Sequence, residues 1–442
     1  MSEPLSLAAY RLATGALRPV ADVILTRRLR AGKEDPARIG ERRGVASLPR
    51  PSLPGPSLPG SSLPGGRLVW LHGASVGESL SVLPLLDRLS AEAPEDRFLV
   101  TTGTVTSARL MAERLPPGAV HQYAPIDQPS YVARFLDHWR PDAALFVESE
   151  LWPGLISQTR ARGTPMALVN GRMSPRAYEG WRRRPAAARA LLDAFGVILA
   201  QDEANGERLS ALSGREAILA GNLKHAAAPL PADASALHRL SEAVGGRPCW
   251  LAASTHAGEE QAVLDAHRQV ARDVPGVLTI LAPRHPPRGD EVARLIEGAG
   301  LRSARRSAGD LPGPDDEVYL ADTLGELGLL YRLADIAFVG GSLSGTGGHN
   351  PLEPARLACA IVTGPDLFNF AQVYAGMRAA GGCALVRNGR DLSASLLRLL
   401  RDAQTREEMA NRANAWAEEA ARAVLDDVTD ALAPVLAPAK AA

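Results

Sequence analysis

Lysine is almost missing from this 442-residue chain: of 49 basic residues, only Lys33, Lys224 and Lys440 are lysine. In so arginine-biased a sequence, an internal lysine marks a place where a compact ammonium is wanted. Cysteine is equally scarce. Cys249, Cys359 and Cys383 have neither an even count nor metal-ligand spacing, and each lies in or beside an apolar run, so they read as reduced, buried thiols. Neither charge dominates, with 49 acidic residues against 49 basic, which removes any whole-chain argument for nucleic acid. No P-loop, Asp-x-Asp or His-x-x-x-His occurs, so no metal and no cofactor is expected. An uninterrupted apolar run of the ~20 residues needed to cross a bilayer is also lacking: the stretch from Leu5 to Leu29 is broken by Arg11, Arg18 and Pro19.

That stretch keeps helical apolar spacing at Leu5, Leu12, Val20 and Ile24, and Arg27, Arg28 and Arg30 follow it. Two readings fit: a basic amphipathic helix lying on an anionic membrane surface, or a helix packed on the body of the protein. From Ser47 to Gly66 a five-residue Ser-Leu-Pro repeat forms a Pro/Gly-rich linker that cannot pack a core, with a polyproline reach of up to ~60 Å. From Arg67 onward short apolar runs alternate with helical stretches, the pattern of parallel βαβ units. Expected strands are Leu68–Leu71, Phe98–Thr102, Ala143–Val147, Met166–Val169 and Val197–Ala200. A second series comprises Trp250–Ala253, Leu278–Ala282, Val318–Leu320, Ile336–Val339 and Ile361–Thr363. The expected division is a membrane-associating segment 1–45, a linker 46–66, and two α/β Rossmann-like domains, 67–228 and 229–442.

Ligands of open parallel sheets collect beyond the carboxyl ends of the strands, so the loops there are where chemistry is sought. After the strand at Ile336–Val339 comes a glycine-rich loop, Gly340 to Gly348, entering Asn350-Pro351-Leu352-Glu353. Asn350 and Glu353 have capping-box spacing. The density of glycine beyond it points to a phosphate cradled by backbone N–H groups at a helix start, with Glu353 near ribose hydroxyls. Glu78 opens a helix after the first strand, three residues from Ser75, and is either a capping partner or a general base. Glu148 stands directly after a buried strand, where a carboxylate needs a partner or a task. Asn170-Gly171-Arg172 ends another strand with groups that suit a phosphate or form a plain turn. Lys224 closes the first domain. In the second, Pro283-Arg284 offers a phosphate-binding cation, and Leu324-Gly325-Glu326 begins a helix.

In order and spacing, these segments resemble the bacterial 3-deoxy-D-manno-oct-2-ulosonic acid (Kdo) transferases. The resemblance rests on Lys33 to Arg42, Ser75-Val76-Gly77-Glu78, Glu148-Ser149-Glu150-Leu151-Trp152-Pro153, Ala253-Ser254-Thr255-His256, Pro283-Arg284-His285-Pro286 and the glycine loop. It implies GT-B architecture, with two Rossmann-like domains facing across a cleft. It also implies metal-free, inverting transfer of Kdo from CMP-Kdo to the lipid A precursor, lipid IVA, at the cytoplasmic side of the inner membrane. Glu78 then matches the general base, and Glu148 and Lys224 match groups that stabilise the transition state. Pro283, Arg284, Leu324, Gly325, Glu326, Asn350, Pro351, Leu352 and Glu353 match the CMP site. Two departures stand out: the pentad repeat with its shorter apolar segment, and Thr346 in place of a basic residue common before the paired glycines. A nucleotide-sugar epimerase of similar architecture would share the paired sheets but needs no membrane-surface helix. A non-catalytic lipid-binding protein leaves Glu78, Glu148 and Lys224 without a purpose.

Overall fold

The computed structural model describes residues 4–53 and 66–437, so most of the pentad linker, and Lys440, lie outside the described residues. Two compact units emerge, one running to Ala227 and resuming at Ala421, the other spanning Ala228–Ala420. The first holds a seven-stranded sheet of β1 (Leu68–His72), β2 (Arg97–Thr102), β3 (Ala119–Tyr123), β4 (Ala143–Val147), β5 (Met166–Gly171), β6 (Val197–Ala200) and β7 (Ile218–Leu219), in the order β3-β2-β1-β4-β5-β6-β7. All of its pairings are parallel. The second sheet is built from β8 (Cys249–Thr255), β9 (Leu278–Pro283), β10 (Ser303–Arg305), β11 (Val318–Leu320), β12 (Ile336–Val339), β13 (Ala360–Thr363) and β14 (Cys383–Leu385), in the order β10-β11-β9-β8-β12-β13-β14. It too is parallel throughout.

Side-chain alternation explains why these runs are apolar without a break. Leu68 and Trp70 of β1 face a core with Phe135 and Trp139, while Val69 and Leu71 face another with Val82 and Leu86. In β8, Trp250 and Ala252 join one layer and Leu251 and Ala253 the other. A strand buried on both faces has no polar side to show. The doubly wound order reverses between β1 and β4 in the first sheet and between β8 and β12 in the second, which marks where each sheet leaves a crevice at its carboxyl edge.

Helices at both ends of the chain pack on the first unit, and at the C-terminal end this departs from the expected division. The N-terminal stretch forms two helices, α1 (Leu5–Ala16) and α2 (Arg18–Arg30), with Pro19 at the start of the second. They pack on the first unit: Leu7 and Leu25 are buried, Tyr10 Oη donates to Asp127 Oδ2 at 2.8 Å, and Arg43 reaches back to Asp22 at 2.7 Å. Their outer face leaves Leu5, Leu12, Val20 and Ile24 exposed. Among the described residues no helix is long and apolar enough to cross a membrane. At the other end, the helix Ala403–Leu436 buries Val424, Val428, Leu432 and Val435 against Val69 and Leu86. Residues 421–437 therefore complete the first unit rather than the second, because their apolar face has its partners there.

The cysteines are free, with Cys359 and Cys383 buried and Cys249 partly so. Burial pushes the three thiols up to about 12, 11 and 12 respectively, which favours the protonated form.

Leu432→Ala removes a wholly buried side chain from the first unit. It is expected to cost about 2–5 kcal/mol, the range for Leu→Ala in a core, measured as a lowered urea midpoint. An unchanged midpoint would mean that the C-terminal helix does not close this core.

Candidate active site

In the first unit, three carboxylates stand at the carboxyl edge of the sheet. Glu78 lies in the first turn of α3 (Val76–Glu92), which follows β1. Its N–H reaches Ser75 Oγ at 3.3 Å, while its carboxylate accepts from Ala74 N at 2.7 Å and from Ser75 Oγ at 2.8 Å. The capping role thus exists. It does not exhaust the group, since a carboxylate has about four acceptor positions and two are taken.

Glu148 follows β4 with φ of 55°, and Asn170 ends β5 with φ of 55°. Left-handed conformations in side-chain-bearing residues cost about 1 kcal/mol or more each, and they persist where surroundings over-determine them. Here the surroundings are visible. Asn170 Oδ1 accepts from Leu223 N at 3.0 Å and Asn222 Oδ1 from Lys224 N at 3.0 Å, fixing the short 3-10 helix Leu223–Ala226. That places Lys224 Nζ 2.8 Å from Glu148 Oε1, off the direction of a hydrogen bond, with Arg172 3.9 Å from the other oxygen. Glu148 is buried while Lys224 is 45% exposed, so the pair adds little stability, but it holds an ammonium at the sheet edge.

Glu150, two residues on, was not singled out from the sequence. Burial first, and then the charges of Glu78 and Glu148, push its carboxyl up to about 7, against a hydrogen bond from Trp152 Nε1. His72, the last residue of β1, has Nε2 3.8 Å from Glu150 Oε2, and burial holds its ring neutral, down to about 3.

The second unit gathers a different set. Beyond β8, β9 and β12 lie His256, His285 and His349, with the His256 and His349 rings stacked at 5.1 Å and their Nε2 atoms 2.9 Å apart. His285 meets His256 edge-on at 5.6 Å. Burial, then His256, Arg284 and His285, lower His349 to about 4. Glu353 is raised by burial, offset by Asn350, whose Nδ2 is 3.5 Å away, and by the Arg284 charge. Arg284, Asn350 and Glu353 are thus brought together at the switch point. Pro351 and Leu352 are buried beneath them. Leu324, Gly325 and Glu326 sit at the end of β11, which pairs with β9, with Leu324 exposed and Glu326 tied to Arg306 at 2.6 Å and 3.0 Å.

The glycine loop needs a correction. Its N–H groups were expected to face a phosphate, yet Gly341 N, Ser342 N and Leu343 N donate to the carboxylate of buried Glu259, at 2.7, 2.9 and 2.8 Å. His256 N makes a fourth bond to it at 2.9 Å. Gly345 N goes to Asp366 at 2.9 Å. The helix that follows has only four residues, Leu352–Ala355, too few for a sizeable dipole. An internal carboxylate occupies the anion nest, and glycine at 340 answers a different demand: a Cβ there would lie 2.6 Å from Ser254 O.

Comparison with known proteins sharpens this picture. The family model described as 3-deoxy-D-manno-octulosonic-acid transferase matches residues 37–227. The 3-deoxy-D-manno-octulosonic acid transferase of Rickettsia bellii is 34% identical over 402 residues, covering 91% of this chain and 92% of that one. That of Bordetella pertussis is 35% identical, covering 95% and 98%. The chain belongs to the 3-deoxy-D-manno-octulosonic acid transferase family. It is therefore a glycosyltransferase, and the epimerase and lipid-binding readings fall away. A Rickettsia africae glycosyltransferase structure shares the fold at 9% identity and a TM-score of 0.57, covering 85% of this chain and all of that one. A Neisseria meningitidis UDP-GlcNAc 2-epimerase does so at 14% and 0.53, covering 82% and 99%. These likenesses concern architecture alone.

Two outcomes follow for this transferase. Each carboxylate oxygen of Glu259 accepts two N–H bonds, so Glu259→Gln places an amide donor against two N–H groups whichever oxygen it replaces. It is expected to cost more than about 2 kcal/mol, by loss of charge-assisted bonds and an N–H clash, read as a lowered melting temperature. Retained stability would remove Glu259 as the organiser of the loop. His121, like His72, is held down at about 3 by burial. Below the ordinary value of ~6.5 the unfolded chain takes up protons that the native state refuses, so stability falls as pH drops from ~6.5 toward 3. The urea-midpoint advantage of the native protein over His121→Gln should shrink between pH 7.5 and 5; an advantage constant with pH would refute the assignment.

Proposed function

We propose that this transferase moves Kdo from CMP-Kdo to the lipid A precursor, lipid IVA, with inversion at the anomeric carbon. The observation that carries this reading is the convergence of Glu78, Glu148 and Lys224 at one sheet edge of the first unit; the second unit, by itself, gathers Arg284, Asn350 and Glu353. The first set offers a base and a cation, the second groups that suit a nucleotide. In the reaction, Glu78 takes the proton of the acceptor hydroxyl, whose oxygen attacks the anomeric carbon from the face opposite the leaving group. The bond from that carbon to the phosphate oxygen breaks, and CMP leaves with the electron pair. Lys224, steadied by Glu148, provides positive charge for the sugar carboxylate or the departing phosphate. Pro283, Arg284, Leu324 to Glu326 and Asn350 to Glu353 hold CMP. With the N–H groups of Gly341, Ser342 and Leu343 bound to Glu259, phosphate recognition falls to Arg284 and the neighbouring histidines.

The acceptor's fatty chains belong in a bilayer. The exposed Leu5, Leu12, Val20 and Ile24, with Arg27 and Arg30 beyond them, suit attachment to the cytoplasmic face of the inner membrane by lying on anionic lipid. Packing of the opposite side on the first unit is compatible with this.

Glu78→Gln is expected to lower transfer from CMP-Kdo to lipid IVA by ~10²–10⁴, the usual cost of losing a general base, while CMP binding by calorimetry is unchanged. Product mass and CMP release report the reaction. Near-normal turnover with lowered thermal stability would leave Glu78 a capping residue only.

A further inference from the structure

The first unit holds a cavity to which the reading above gives no task. It measures about 500 Å³ and lies between α1 and the helices Pro153–Ala161 and Pro185–Leu192. Protein interiors leave few voids larger than one water, which takes up ~30 Å³ of liquid, whereas small-molecule sites run to ~300–1,000 Å³. This space belongs with the sites. Its walls are apolar and mostly small, with Leu7 from α1, Gly154, Ile156 and Ala161 from the second helix and Ala190 from the third. Polar side chains among the walls direct their protons into the protein. Thr14 Oγ1 donates to Tyr10 O at 2.8 Å, Tyr10 Oη to Asp127 Oδ2 at 2.8 Å, and Gln158 Nε2 to Pro129 O at 3.0 Å. What these walls offer an occupant is therefore apolar contact.

One buried carboxylate joins the cavity to the loop that carries Glu148. Asp127 accepts from Gly154 N at 2.9 Å, from Leu155 N at 2.7 Å and from Tyr10, so it ties α1 to the start of the helix that follows this loop. The fit is close: a Cβ at Gly154 would stand 2.6 Å from Asp127 Oδ1. Pro153 and Gly154 also line the cavity, and Pro153 is five residues beyond Glu148, a span of at most ~18 Å for an extended chain. Among the described residues of the lining, the charged ones are Arg11 and Arg160, both exposed, and none is acidic. An apolar slot rimmed by cations suits an aliphatic chain that ends in an anionic head group.

We propose that this cavity takes one fatty acyl chain of the acceptor while the sugar head group of the same molecule reaches the carboxyl edge of the first sheet. The proposal rests on the reading of the acceptor as a lipid. Bulk bilayer lipid would meet the same walls, but the short path from Pro153 back to Glu148 favours the molecule whose head group reacts at that edge. Holding a chain beneath α1 lifts part of the acceptor out of its bilayer. The tie from Tyr10 through Asp127 to Gly154 then keeps the cavity and the Glu148 loop in fixed register.

The test uses the full-length protein with CMP-Kdo and a lipid IVA analogue that carries a photoreactive diazirine at the end of an acyl chain. After illumination, the label should fall on peptides that contain residues 4–14 or 153–161. Unlabelled lipid IVA should compete it away, and equal phosphatidylglycerol should not. Kinetics supply the second arm. The kcat/KM for lipid IVA over that for its fully deacylated form should be at least ~10, since burying two methylenes is worth about that much. Ala190→Phe and Thr14→Phe fill the cavity from opposite walls and should bring this ratio toward one, with melting temperature as the control for folding. Label outside the cavity, equal competition by phosphatidylglycerol, or an unchanged ratio in variants of native melting temperature overturns the proposal. If the native protein forms no product from CMP-Kdo and lipid IVA, the reading beneath it fails; product formed with the label elsewhere removes only the role of the cavity.

Discussion

Two-sided burial of parallel strands is the constraint on which the rest of this molecule depends. Parallel neighbours cannot be joined by tight turns, so each strand returns through a crossover on one face or the other. The helices then cover both faces, the strands become apolar throughout, and polar groups are expelled to the ends. Because all strands of a sheet point the same way, every carboxyl end opens on one edge. Glu78, Glu148, Asn170 and Lys224 meet there in one unit, and His256, Arg284, His349 and Glu353 in the other.

Backbone strain collects at the same edges. Glu148, Asn170 and Ser254 are three of five residues other than glycine with positive φ among those described, and each stands at the end of β4, β5 or β8. The ladder slips near two of these points, between Leu168 and Gly171 and between Ala253 and Thr255. Such irregularities turn a side chain out of the alternation of its strand. Glu148, turned by its own left-handed conformation, meets Lys224 although it directly follows a fully buried strand, and the carbonyl of Ser254 comes so close to Gly340 that no side chain fits there.

Ten of the fourteen strands among the described residues are legible as apolar runs. The four that were not, β3, β7, β10 and β14, are the two edges of each sheet. An edge strand has one neighbour and is covered less completely, so it can be short or polar: Ala119–Tyr123 carries His121 and Gln122, β7 is two exposed residues, and β10 reads Ser-Ala-Arg. The same physics hid the return of residues 421–437 to the first unit. Their helical periodicity declares an apolar face but not which core will receive it.

Sequence alone determined the α/β alternation, the family, and the candidate carboxylates, because periodicity and motif spacing are local properties of a chain. Glu78 with Ser75, and Asn350 with Glu353, fall within one helical turn and could be read directly. Tertiary structure alone decided which groups were already spent. Glu259 stands more than eighty residues from the glycine loop whose N–H groups it fills, and His72 more than seventy from Glu150. Hydrogen bonds and charge coupling between such distant positions arise only when the sheet brings strand ends together, so no local pattern could have announced them.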